Sequence, residues 1–88
     1  MSKNFNIFIE RNAEKSFKKI PKVFQDKIVS AILELKNNPK SKHSKKIKGG
    51  SIYYRIKIGD YRVVYEVKNK EKIINVFIIR HRKDAYFG

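Results

Sequence analysis

The chain has 88 residues, with 22 Lys and Arg against 8 Asp and Glu, a formal charge of +14 and no cysteine. That is chain enough for one modest core, and a single domain over 1–88 is expected. The lack of thiols excludes a disulfide frame, a cysteine nucleophile and a cysteine-based zinc site. So large a positive excess strains a compact fold by self-repulsion, which an acidic protein or a polyanion would relieve. The segment MSKNFNIFIERN lacks the apolar core of a signal peptide, and no stretch is long enough to span a bilayer. No membrane association and a cytoplasmic location are therefore expected.

In chain order, Phe5 to Ile9 is a short β-prone run with Phe5, Ile7 and Ile9 on one face, an alternation that Phe8 blurs. Asn12 is the expected N-cap of a first helix, with Glu14 in its first turn. Ala13, Phe17 and Ile20 form one apolar stripe, and Lys15, Lys18 and Lys19 cover the rest. Pro21 breaks this helix and can open the next, which runs to Leu35 or Lys36. Phe24, Ile28, Ala31, Ile32 and Leu35 give that second helix its apolar face. Asn37-Asn38-Pro39 ends it. The two helices are predicted to form a hairpin laid on one face of a sheet. Lys40 to Lys48 (KSKHSKKIK) reads as a basic connector holding five lysines. It is either a solvated loop or an apron for phosphate backbones, with Lys46 and Lys48 as candidate RNA contacts. Gly49-Gly50 permits a sharp entry into the next strand.

Three strands then form an antiparallel meander. From Ser51 to Gly59, Ile52, Tyr54, Ile56 and Ile58 point one way and Tyr53, Arg55 and Lys57 the other. Gly59-Asp60 is turn chemistry, and Tyr61-Arg62-Val63-Val64-Tyr65 begins the next strand. Lys72 to Arg80 is almost wholly apolar, which predicts a central strand covered on both faces. It ends in Arg80-His81-Arg82. The predicted fold is α+β in the order β-α-α-β-β-β.

The eight carboxylates form no DxD-like or ExxH-like cluster, so neither a metal nor a cofactor is expected. Gly-rich phosphate loops are absent. The chemistry left rests on Arg55, Lys57, Arg62, Arg80, His81, Arg82 and Tyr86. Cations can hold a phosphodiester and stabilise the extra charge of its pentacoordinate transition state. An imidazole or phenol can move the proton of a ribose 2′-OH. Tyr53 can stack a base of single-stranded RNA. Plainer roles compete: Tyr54, Tyr61 and Tyr65 as packing groups, Arg62 as a surface cation paired with Asp60 or Glu66, Arg80 as an anchor for the tail, and Tyr86-Phe87 as an apolar plug.

The stretch KIKGGSIYYRIKIGDYRVVYEV followed by NVFIIRHRKDAY resembles the C-terminal half of the RelE/ParE toxins of type II toxin–antitoxin systems, and the element order matches as well. For RelE-type members the resemblance implies ribosome-dependent, metal-independent mRNA interferases. It implies neutralisation by a cognate antitoxin and binding of operator DNA by the toxin–antitoxin pair through the antitoxin. By motif, Arg55 and Lys57 stand where the family commonly has two lysines, and Arg62, Arg82 and Tyr86 carry over as site residues. The family uses a Tyr or a His as acid or base, and this chain has both His81 and Tyr86. Arg55 cannot exchange a proton, which leaves such a task on that strand to Lys57. ParE-type toxins share this fold and inhibit DNA gyrase by protein contact; the Arg/His/Tyr set favours the ribonuclease. A non-catalytic RNA-binding module is the third alternative.

Overall fold

A computed structural model describes residues 4–39 and 53–83, and residues 44–46 by their backbone alone. The elements are β1 (Asn6–Ile9), α1 (Arg11–Lys18), α2 (Lys22–Leu35), β2 (Ser44–Lys46), β3 (Tyr53–Ile58), β4 (Tyr61–Lys68) and β5 (Ile73–His81). They form a sheet in the order β1-β5-β4-β3-β2, with β1 parallel to β5 and the other pairs antiparallel. The expected strand, helical hairpin and meander are all present. The basic connector, whose composition predicts no strand, adds one short edge strand, β2.

Helix α1 begins one residue before the expected cap. Glu10 occupies the cap position, and its carboxylate accepts a hydrogen bond from Asn75 Nδ2 at 2.9 Å instead of capping the helix. Asn12 lies inside the first turn. The helix closes on tight bonds from Lys19 N–H to Ser16 O and Ile20 N–H to Phe17 O. Pro21 is the cap residue of α2, and its carbonyl accepts from the Phe24 and Gln25 amides. Proline has no N–H of its own, so nothing is lost by placing it there.

The core lies between the helices and one sheet face. Ile28, Ile32 and Leu35 of α2, with Ala13 and Ile20, meet Tyr54, Ile56, Val63, Tyr65, Val67, Ile74, Val76 and Ile79. Each large side chain so buried contributes about 1.5–3 kcal/mol. Tyr65 is fully buried; its ring stacks on Tyr54, and its hydroxyl donates to Pro39 O at 2.7 Å, fastening the end of the helical hairpin to the sheet.

β5 departs from expectation. Ile74, Val76 and Ile79 are buried, but Ile73, Asn75, Phe77 and Ile78 are only half-buried, so one face of the strand is covered by helices and the other is not. The continuous apolar run has another cause. Val64 pairs with Ile78 and Tyr65 with Val76, so Phe77 is an extra residue, a β-bulge. Past the bulge the alternation is inverted: Ile79 and His81 take the helix side, and Ile78 and Arg80 take the open side.

Candidate nucleic-acid interface

The open face of the sheet carries the cations. Lys57 pairs with Arg62 across β3 and β4, and Arg62 pairs with Arg80 across β4 and β5. Directly paired residues share a face, so these side chains form a lateral row about 10 Å long over two strand spacings. Like charges directly opposite destabilise a sheet, by roughly 0.2–1 kcal/mol per pair on the scale of cross-strand contacts. An anion laid on the row reverses the sign of that term. Arg62 donates from Nη1 to Tyr61 O at 3.2 Å and Gly59 O at 3.4 Å, which holds its guanidinium over the turn. Neither Asp60 nor Glu66 forms an ion pair with it; among the described residues the pairs are Lys18–Glu14, Lys22–Asp26 and Arg82–Asp60. The turn owes its shape to Gly59 at φ 61°, a left-handed conformation that glycine adopts without strain.

Arg55 is exposed on the same face, two residues and about 7 Å from Lys57. Tyr53 is half-buried about 13 Å from Lys57, its ring 5.5 Å from Phe77 in an edge contact. A phenol, then Arg55, then the cation row thus follow one another along β3.

The remaining residues go elsewhere. His81 pairs with Tyr61 on the helix side of the sheet, its ring perpendicular to the tyrosine at 5.1 Å. Its Nδ1 accepts from the Lys83 N–H at 3.1 Å. The imidazole therefore does not share a face with Lys57, Arg62 and Arg80. Arg82 follows in a turn, where its N–H donates to Asp60 O at 2.6 Å and its Nε lies 3.7 Å from Asp60 Oδ1. Lys46 stands opposite Tyr54 in the β2–β3 register, while Lys45 is the residue opposite Arg55. Lys48 and Tyr86 lie outside the described residues.

Sequence reading missed an apolar groove. Ile7 and Ile9 of β1, Phe17 of α1 and Val29, Ile32 and Leu33 of α2 line a cavity of about 280 Å³. Val29 and Leu33 are 42% and 54% exposed, and Phe8 and Ile9 are 55% and 45% exposed. Exposed apolar clusters of this kind mark contact surfaces for other macromolecules. The signal was present in the second apolar stripe of α2, Val29 and Leu33 at i and i+4. Among the described residues no three His, Asp or Glu side chains gather as a metal-ligand group, and no helix is long and apolar enough to cross a membrane.

The site thus sits on a five-stranded sheet with a helical hairpin on one face and a cation row on the other. A family model described as the ParE toxin of the type II toxin–antitoxin system parDE matches residues 7–86. The chain belongs to this RelE/ParE family of type II toxin–antitoxin toxins. It is 35% identical over 85 residues to a toxin named RelE1 from Methanocaldococcus jannaschii, covering 93% of this chain and 94% of that one. Among solved structures it is similar to the RelE–RelB complex of Pyrococcus horikoshii, with a TM-score of 0.82 and 25% identity over 93% of this chain and 99% of the other. It is also similar to the RelB–RelE antitoxin–toxin complex of Methanococcus jannaschii, with a TM-score of 0.75 and 30% identity over 92% and 99%.

Proposed function

We propose that this toxin is a metal-independent endoribonuclease that cuts mRNA on the ribosome. The observation that carries the reading is the register Lys57–Arg62–Arg80, which lines up cations on the sheet face opposite the helices. The 2′-OH oxygen attacks the adjacent phosphorus, the bond from phosphorus to O5′ breaks, and a 2′,3′-cyclic phosphate remains. One proton leaves the 2′-OH and one reaches O5′. Arg62 and Arg80 hold the phosphoryl oxygens, and one such preorganised donor is worth about 10²–10³ in rate. Lys57 is the member of the row able to exchange a proton, a contribution of about 10²–10⁴. Arg55 takes the next phosphate and Tyr53 a base beyond it. His81 and Arg82 stand at the end of β5, Arg82 as a further phosphate contact; Tyr86, four residues further along the sequence, is the second acid–base candidate. A surface this open aligns the 2′-OH poorly by itself, so the ribosome supplies the alignment.

The partner is a cognate antitoxin, as in the RelE–RelB complexes, and the groove between β1 and the helices suits its apolar side chains. Operator DNA would be reached through that antitoxin. A protein that cuts translating mRNA works in the cytoplasm. The test is cleavage of a defined transcript in translating extract by the wild type and by Arg62→Gln. The reading requires cuts with the first and a rate about 10²–10³-fold lower with the second. A DNA-damage response without mRNA fragments would point instead to gyrase.

A further inference from the structure

A second cavity, of about 320 Å³, opens on the helix side of the same sheet end. It is lined by the apolar side chains of Ile20, Tyr61 and Ile79 and by the polar ones of Ser16, Lys19 and His81. Arg80 borders it too, so the cavity and the cation row meet at one residue. The surrounding groups share a property. Lys19 carries an ammonium and Ser16 a hydroxyl. The His81 Nδ1 accepts from Lys83 N–H, which places the ring proton of the neutral imidazole on Nε2. All three can therefore donate hydrogen bonds in a cavity whose other walls are partly apolar and aromatic. Ligand pockets run from about 300 to 1,000 Å³, so this one has room for a single base and little more.

We infer that this cavity holds one nucleotide of the substrate RNA, its base against the accessible edges of Tyr61 and Ile20 and its acceptor edge on Lys19, Ser16 and His81. The inference rests on the ribonuclease reading and gives His81 a place in it: a substrate contact next to the row. The Lys19 ammonium and the His81 Nε2–H can only donate, so they match uracil, which offers O4, better than cytosine, which offers an N4 donor at the same place; the Ser16 hydroxyl serves either.

The test titrates the full-length protein with UMP, CMP and inorganic phosphate, followed by NMR shifts of the Ser16 amide and the His81 ring. Wild type should bind UMP roughly tenfold more tightly than CMP, the discrimination of about one good hydrogen-bond pair. It should bind phosphate more weakly than either. Ser16→Leu, which fills the cavity, and Lys19→Ala, a change at an exposed position, should each weaken UMP by about tenfold or more. In extract, Lys19→Ala should still cut but with an altered base distribution around the cut. Equal UMP binding by wild type and Lys19→Ala, or phosphate binding as tight as UMP, overturns the inference. Wild type that binds UMP at these shifts but cuts no transcript would leave the pocket standing and remove the ribonuclease. Cutting without UMP binding would do the reverse.

Discussion

Arg62 stands directly opposite Arg80 across the β4–β5 pair, although both carry positive charge. Like charges placed directly opposite repel each other. Arg62→Gln should therefore leave the urea midpoint unchanged or slightly raised while mRNA cleavage falls about 10²–10³-fold. Loss of stability beyond about 1 kcal/mol, on the scale of a typical hydrogen bond, would mean that its bonds to Gly59 and Tyr61 are its main role.

Lys57 separates charge from proton exchange. Lys57→Arg keeps the cation but cannot give or take a proton near neutral pH. Both Lys57→Arg and Lys57→Met should lose about 10²–10⁴ in single-turnover cleavage on ribosomes. An arginine variant close to wild type would reduce Lys57 to a phosphate contact.

Tyr65 tests the scaffold. Tyr65→Phe leaves the buried Pro39 carbonyl without that hydroxyl donor, which should cost about 1–3 kcal/mol in urea unfolding. Cleavage at low temperature should persist, because Tyr65 faces the helices and not the cation row.

The meander was legible because β3 alternates cleanly: Tyr54 and Ile56 are buried, and Arg55 and Lys57 are exposed, as their spacing requires. The helical hairpin was legible from Ile28, Ile32 and Leu35. The division of the site was not. Counted strictly from Ile74, Arg80 would face the helices and His81 the open side. Phe77 inverts that order through the bulge, and an apolar residue amid apolar neighbours gives no local sign of doing so. The parallel pairing of β1 with β5 was hidden for a different reason, since it depends on a crossover through both helices. β2 was concealed by lysines, which are common on edge strands because they discourage further pairing.

The groove beside β1 separates toxicity from neutralisation. Leu33→Glu places a charge on an exposed apolar position without touching the core. Calorimetry should show antitoxin affinity falling by at least about tenfold, the loss of one apolar anchor, while cleavage and the urea midpoint hold. Unchanged affinity would place the antitoxin elsewhere on the surface.

The most direct measurement replaces a single ribose at a mapped cut with 2′-deoxyribose in an otherwise identical transcript and follows cleavage in translating extract. Attack by the sugar's own hydroxyl predicts that this position is spared while neighbouring cuts continue, and that the unmodified transcript ends in a 2′,3′-cyclic phosphate. Cleavage of the deoxy position at the unmodified rate would contradict it.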